Sequence, residues 1–525
     1  MDLAKKLDPV NEKEMSETSK TMTREKVENT LTDEIIIGIC SPIGSLKEQV
    51  VEDLKNILIE EYGYDVKVIK ISDFIEKYSP SFASEQPGET KGFTSLMNKI
   101  NGGDQLRKKH NPACLVELAI HEINVERLRG DNVGDIKNTE DLKSRRICYI
   151  FDSLKNKEEL YLLRSVYKDI FYQFSIFSPE NVRSNNLREK HKLSDPEITG
   201  LMDTDEYENN THGQNVRDTF IDADFFVRVT NKNIKGTRKK IERYLHLIFE
   251  SSIITPNPDE IAMYEAKSAA GNSACLSRQV GAAITNEKGE IISRGWNDVP
   301  KFGGNLYKDI DSPNHRCLHI GYCSNDRTKD KLTENIIEMI LKDESFKEMF
   351  TKKQEDGTYF IQKLNEKIRK STKIKDLIEF SRSVHAEMHA IIIGSQLAGN
   401  KMVGGKLFCT TYPCHNCGRH IVVAGIKEIY YIEPYVKSLC LELHSDAITE
   451  DEESIDKVRI LMYDGVAPRR FMEFFIMKSQ RKDGNGILQP IVLETIHPKS
   501  RLTLQALSTL EAQALHSLKS TGLIE

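Results

Sequence analysis

The sequence predicts an α/β protein of more than one domain, a parallel-sheet domain first and an α/β/α domain with a mixed sheet after it. Three observations carry this. Short runs rich in Ile, Val, Phe and Tyr alternate with longer amphipathic stretches through the first half, as in a sheet wound with helices on both faces. A second series of helices and strands begins near Glu260, with a turn at Glu287-Lys288-Gly289. The chain has 525 residues, enough for two or three cores.

Composition narrows the class. The net charge is −6 with both signs interspersed, which argues against a general nucleic-acid binder. Ten cysteines are scattered without the spacing of a secreted disulfide framework, and no apolar stretch near Met1 serves as a signal peptide. No run approaches the length of a membrane span. The expectation is a soluble, reduced, cytoplasmic protein with no membrane partner.

Residues 1–33 are polar, rich in Glu, Lys and Thr, and read as a mobile arm. At residue 34 the first folded domain begins, expected to run to 252. Ile35 to Ile39 is a buried strand, Cys40 to Lys47 a loop, and Glu48 to Tyr62 an amphipathic helix. Strand, glycine-containing loop and helix in that order suit an anion, because the loop amides and the helix end point at it. The loop departs from Gly-x-x-x-x-Gly-Lys-Ser/Thr: Gly38 and Gly44 are six apart, Ser45 stands where the lysine belongs, and Lys47 follows. Further strands are expected at Val66–Ser72, at Arg146–Asp152 (ending in an acid), at Tyr172–Phe177 and at Asp224–Val229. Between the last two, Arg183–Lys192 is basic and reads as a lid. This segment resembles the nucleoside and nucleotide kinases of the P-loop class. The resemblance implies a nucleotide with Mg²⁺ held by Gly38, Gly44, Ser45, Lys47 and Asp152.

The second domain is expected over 253–480, with an insertion at about 301–380. Its chemistry sits in two stretches, His385-Ala386-Glu387 and Pro413-Cys414-His415-Asn416-Cys417. One imidazole and two thiolates make a three-ligand zinc site that leaves the fourth tetrahedral position open, as catalytic rather than structural zinc requires. Glu387 is then the proton shuttle. This pattern is a known mark of zinc deaminases, in which the glutamate does not ligate the metal. Helices are expected from the His-Ala-Glu triplet and from Gly418, with a strand at Lys406–Thr411 between them.

Upstream, Met263 to Ala270 reads as a helix, and Ile291 to Asn297 as a strand closing in Asp298-Val299-Pro300. Together these motifs resemble the deoxycytidylate deaminase branch of the cytidine deaminase superfamily. By that resemblance Asn297, of the Asn-x-x-Pro stretch, holds the sugar; the alternative reading is a turn-forming residue. Ala386 is counted with the substrate-binding residues. His389 stands where deoxycytidylate deaminases usually have Asn. It is read either as facing a longer phosphate chain or as a satisfied helix histidine. Within the insertion, His315, Cys317, His319 and Cys323 are a candidate second zinc set, or ordinary loop residues. Lys329 to Lys375 is charged and helical, Arg469 and Arg470 meet either a phosphate or solvent, and 481–525 is a C-terminal extension.

A degenerate kinase-like domain, the His212-to-Asp218 connecting stretch and a deoxycytidylate-type deaminase in one chain resemble the anti-phage dCTP deaminases. What this implies is deamination of dCTP, dCMP or both, depletion of the deoxycytidine nucleotide pool during infection, a regulatory first domain answering to a nucleotide or an RNA, and a homo-oligomer. Alternatives are a housekeeping dCMP deaminase, a deaminase of single-stranded nucleic acid, and a bifunctional kinase and deaminase. With Trp296 the only tryptophan and no basic aromatic run beside the motifs, the polymer reading lacks its expected channel.

Overall fold

The computed structural model describes residues 23, 25–79, 89–129, 142–207, 213–344, 346–347, 359–371, 373–435, 438–489 and 491–524. The chain forms two units, residues 1–255 together with 464–525, and residues 256–463. Among the described residues no helix is long and apolar enough to cross a membrane.

The isoleucine-rich run Ile35–Cys40 is β1, buried along its whole length. The loop Ser41–Leu46 leads into α1 (Lys47–Glu60). β2 (Asp65–Lys70), α2 (Cys114–Arg129), β3 (Ile147–Leu154), β4 (Phe171–Phe177), α3 (Asp195–Tyr207) and β5 (Phe225–Arg228) follow. The second unit carries α4 (Pro258–Ala270), β6 (Gly281–Thr285), β7 (Ile291–Trp296), α5 (Ala386–Ala398), β8 (Lys406–Thr411), α6 (His415–Val423), β9 (Glu428–Glu433), β10 (Ile448–Thr449) and β11 (Val458–Met462). The chain then returns to the first unit with β12 (Gly465–Val466) and α7 (Leu504–Ala514).

The first sheet has the order β12-β5-β4-β1-β3-β2, parallel except for β12. Its central strand is apolar on both faces because both are covered. Ile35, Ile37 and Ile39 join one core with Val50, Leu54 and Ile57 of α1, and Ile36 joins the other with Leu115 and Leu118 of α2. The observed strands lie within two residues of those expected.

Two boundaries differ from expectation. Leu31 already bridges Thr503, and the Thr32 amide donates to the Leu502 carbonyl at 2.8 Å, so the chain is tied in before residue 33; residues 1–22 and 24 lie outside the described ones. The stretch from Asp464 onward, expected to close the second domain, belongs to the first unit: Gly465 and Val466 pair antiparallel with Phe226 and Phe225 of β5. Arg469 and Arg470 both pair with the fully buried Asp224; Arg470 is itself buried, while Arg469 stays exposed to solvent. Of the connecting stretch, His212 lies outside the described residues, while Asn215 caps a short helix through the Asp218 amide.

A buried ionic cluster joins distant parts of the first unit. Arg127 of α2 donates to Glu34 ahead of β1 and to Glu511 of α7, and Arg145 donates to Glu34 as well. Burial alone would raise the Glu34 pKa, but the two guanidiniums outweigh it and hold the carboxyl below its ordinary 4.5. A carboxylate with a depressed folded pKa stabilises the fold above its unfolded value and loses that contribution as pH falls. We therefore expect the first unit's melting temperature to be flat from pH 7 to about 5 and to fall below about 4.5, a slope that Glu34→Gln reduces.

The second sheet has the order β10-β11-β9-β8-β6-β7, with β6 antiparallel to both neighbours and the rest parallel. Asn257 and Glu260 form a capping box at the start of α4, with Pro258 in the first turn. Two helices press on the sheet at glycines. A Cβ on Gly281 would lie 1.9 Å from the Ala266 carbonyl oxygen of α4, and one on Gly295 would lie 2.3 Å from the Ala386 oxygen and 2.4 Å from the Ala390 nitrogen of α5. Ser293 adds a hydrogen bond of 2.7 Å to the Ala390 carbonyl. Gly295→Ala should therefore force β7 and α5 apart, lowering stability by about 1–3 kcal/mol in urea unfolding, as overpacking does. The insertion is charged and helical where described: Ser324–Leu341 and Phe360–Ser371 are joined by Arg369 to Asp326 and Asp330.

Candidate metal and catalytic site

Backbone geometry brings the two motifs together at the N-termini of two helices. His385 caps α5 in an extended conformation, and Cys414 caps α6 in the same way. Cys417 lies in the first turn of α6, fully buried. His385 Nδ1 is 3.3 Å from each sulfur, and this trio is the one potential metal-ligand cluster among the described residues. A tetrahedral zinc with ordinary Zn–N and Zn–S bonds needs donors roughly 3.5 Å apart, so the trio fits.

Charge completes the fit. Cys414 is pulled down to about 4, first by its hydrogen bond with Cys417 and, against burial, by His385. Burial lowers the His385 pKa, but the hydrogen bond and charge of Cys414 outweigh it and take it up to about 9. The positive ends of α5 and α6 favour thiolates at the same point. A cation replacing the imidazole proton would find one sulfur already ionised.

Glu387 follows in the first turn of α5, 4% exposed and outside the trio. Burial pushes its carboxyl above the ordinary carboxylate range, against the pull of His385. Cys409, buried on β8, sets its thiol against the same carboxylate. Sequence reasoning passed over Cys409. Strand alternation places it on the same face as Thr411, toward the motif, and was the signal available.

The other expected site residues are each held by contacts within the protein. Ala386 is buried between His385 and Glu387, against Gly295. Asn297 closes a backbone turn: its Oδ1 accepts from the Val280 amide and its Nδ2 donates to the Arg278 carbonyl, both at 2.8 Å. His389 has both ring nitrogens engaged within the protein. Its Nδ1 accepts from the Trp296 amide at 3.2 Å and its Nε2 meets Asn305 Oδ1 at 3.0 Å.

The second zinc set does not assemble. Cys317 is buried at the start of a short helix, Cys323 Sγ lies 3.7 Å from the Ser277 hydroxyl, and His315 packs edge-on to Tyr307. These residues point to separate partners, so His315, Cys317 and Cys323 make no three-donor group.

In the first unit, Gly38 is not part of the loop. It is a strand residue whose missing Cβ makes room for Phe171 and Leu154, which such an atom would meet at 2.8 and 2.7 Å. Gly44 takes a φ of +80°, where a side chain would also strike the Arg183 carbonyl. Lys47 opens α1 and pairs with Asp152 on β3. Ser45 is buried, with its hydroxyl lacking a protein partner. Two of the loop amides are engaged by protein side chains: Ile43 donates to Asp205 of α3 at 2.7 Å and Leu46 to the Ser178 hydroxyl at 3.1 Å. Lys155 holds the Asp205 carboxylate from the other side at 2.8 Å.

Residues 256–433 match the family model described as the cytidine and deoxycytidylate deaminase zinc-binding region. ComE operon protein 2 of Bacillus subtilis (strain 168) is 36% identical over 80 residues, which is 15% of this chain and 42% of that protein. The chain thus spans less than half the length of that relative. The deoxycytidylate deaminase of Enterobacteria phage T2 is 26% identical over 175 residues, 32% of this chain and 74% of the phage protein. A crystal structure of the dCMP deaminase from cyanophage S-TIM5 in complex with dCMP and dUMP is 19% identical, covering 40% of this chain and 99% of that one, with a TM-score of 0.23. Residues 256–433 therefore form a domain of the cytidine and deoxycytidylate deaminase family, whose members are hydrolases acting on cyclic amidines.

Proposed function

We propose that this chain hydrolyses the exocyclic amine of deoxycytidine nucleotides, dCTP, dCMP or both, to give deoxyuridine nucleotides and ammonia. The observation that carries the reading is the His385, Cys414 and Cys417 trio with the buried Glu387 beside it. Zinc held by these three donors supplies a Lewis acid with an open position, which brings the pKa of water toward neutrality. Glu387 takes a proton from the water that attacks C4 of cytosine and passes it to N3. A proton then goes to the departing amine, so water and cytosine leave as uracil and ammonia. The raised Glu387 carboxyl suits both acceptance and return of the proton. Asn297 acts through the Arg278–Val280 turn it closes, which shapes the sugar side of the site.

Free nucleotides are favoured over a polymer because the phage T2 and T4 relatives are deoxycytidylate deaminases. In the cell the reaction drains the deoxycytidine nucleotide pool during phage infection, and the first unit regulates it by sensing a nucleotide or an RNA. The support is the resemblance of the whole arrangement to anti-phage dCTP deaminases. Within the first unit it is the strand, loop and helix at Ile35–Glu60 with Lys47 and Asp152 in contact. A phosphate entering that loop displaces Asp205 from the Ile43 amide. Kinase activity is disfavoured, since Ser45 stands in place of the lysine and Lys47 is committed to Asp152. A cytoplasmic homo-oligomer completes the proposal.

Ammonia release from dCTP, dCMP, CTP, CMP, deoxycytidine and a cytosine-containing oligonucleotide tests it. Activity confined to the deoxycytidine nucleotides supports the reading, and the preferred one fixes the phosphorylation state. Activity only on the oligonucleotide overturns it.

A further inference from the structure

We infer that His389 is a positioning residue that ties the Lys301–Leu306 turn to the deaminase site, and that this turn forms the rim past which the sugar and phosphate of the nucleotide extend. The inference rests on the deaminase reading and adds to it a residue with no role in the proton transfer.

The geometry begins at Gly295, whose missing side chain lets β7 lie against the first turn of α5. The chain leaving β7 must then run alongside His385 to His389. It does: Asp298 pairs with Val384, the neighbour of the zinc histidine, and the Val384 amide donates to the Asp298 carbonyl at 2.9 Å. Beyond Pro300 the chain folds back on itself, with Pro300 opposite Leu306 and the Tyr307 amide on the Val299 carbonyl at 3.1 Å. The tip holds three successive residues at positive φ, Gly303 at +91°, Gly304 at +102° and Asn305 at +63°. Phe302 beside them is wholly exposed. Leu306 at its end is buried and the Lys301 amide donates to the Asn305 carbonyl at 3.0 Å, but a Cβ on Gly303 or Gly304 at the tip would meet nothing.

His389 supplies the fixing. It follows His385 by one helical turn, its amide bonded to the His385 carbonyl at 2.9 Å, so both imidazoles leave the same face of α5. The side chain is 3% exposed, with the Trp296 indole packed edge-on at 4.7 Å. Because Nδ1 accepts from the Trp296 amide, the ring proton sits on Nε2 and is donated to Asn305 Oδ1. The same oxygen accepts from the Leu306 amide at 2.8 Å, which locks the Asn305 side chain over the turn. With C4 of the base directed at the zinc trio, the remainder of the nucleotide leaves past the segments around it, and this turn is one of them.

Two substitutions separate the two ring nitrogens. Gln at 389 keeps a donor near the Nε2 position, whereas Asn keeps only the acceptor for Trp296. His389→Ala and His389→Asn should raise KM for the preferred deoxycytidine nucleotide roughly three- to tenfold, the factor one lost hydrogen bond represents, with kcat within about twofold. His389→Gln should restore KM. Asn305→Gly, which suits the positive φ and leaves α5 untouched, should match His389→Ala, and the double variant should be no worse than either single. Hydrogen exchange of the Leu306 amide gives a readout independent of turnover: it should quicken in His389→Ala and Asn305→Gly and stay slow in His389→Gln. Unchanged exchange in His389→Ala overturns the tie. Faster exchange with unchanged KM overturns the role in substrate binding, as does a loss confined to kcat. If the wild-type protein releases no ammonia from any nucleotide, the deaminase reading fails, while exchange still decides whether His389 holds the turn.

Discussion

Glu387→Ala should lower kcat by about 10²–10⁴-fold, the range for loss of a positioned general acid and base, with zinc content unchanged. The three metal donors are His385, Cys414 and Cys417, and Glu387 is not among them. It is also buried at a cost to its charged form, so its removal relieves a penalty and should leave the melting temperature level or slightly higher. Replacing Cys417 by Ser should behave in the opposite way, losing metal first and activity with it. Ammonia release and zinc analysis of the two variants side by side check this. Appreciable turnover by Glu387→Ala would remove the proton-shuttle assignment, and loss of zinc in that variant would show that Glu387 holds the site as well as working in it.

In the first unit, Arg127→Ala should cost about 3–5 kcal/mol, because it leaves carboxylates buried without their counter-charge. The Arg127 side chain is 2% exposed, and those of Glu34 and Glu511 are fully buried. One guanidinium serves both acids: Nη2 reaches Glu34 at 2.7 Å, while Nε and Nη2 reach Glu511 at 3.0 Å. Glu34 keeps Arg145 after the change, whereas Glu511 keeps the uncharged Asn124 at 3.4 Å and the neighbouring Tyr167. Adding Glu511→Gln should therefore recover part of the loss. Lys at 127 should not, since an ammonium cannot span two carboxylates as a planar fork does. Urea unfolding of the four proteins measures the terms. Equal stability of Arg127→Ala and wild type would mean that the cluster is hydrated in solution.

The zinc trio was legible because His, Cys and Cys with an intervening Glu have few other reasons to occur at that spacing, and each motif is local. The strands were legible because a buried parallel strand must be continuously apolar, as Ile35 to Ile39 is. What escaped depends on partners far along the chain. The identity of His389 states only that two nitrogens need partners. That they are Trp296 and Asn305 follows from β7 lying on α5. Gly38 resembled a loop glycine, yet it makes room for an aromatic ring on the adjacent strand. The return of the chain to the first sheet through Gly465 and Val466 had no local signal, since two residues are too few to show a period. Four loosely spaced soft ligands around Cys317 suggested a metal, but composition does not say which way side chains point.

The discontinuity of the first unit sets an order of events on the ribosome. Glu511 follows Arg127 by 384 residues, all of which must be made before the pair can form. At about 5–20 residues per second, Arg127 and Glu34 wait roughly 20 to 80 seconds for the second carboxylate. β5 likewise stays an open edge until Gly465 and Val466 emerge. A nascent first unit is thus an unfinished sheet while the whole deaminase domain is synthesised and free to fold. Chaperone demand and aggregation should concentrate in that interval, and a stop codon anywhere between residues 463 and 504 should yield a chain whose first unit, rather than its zinc domain, is taken by proteases.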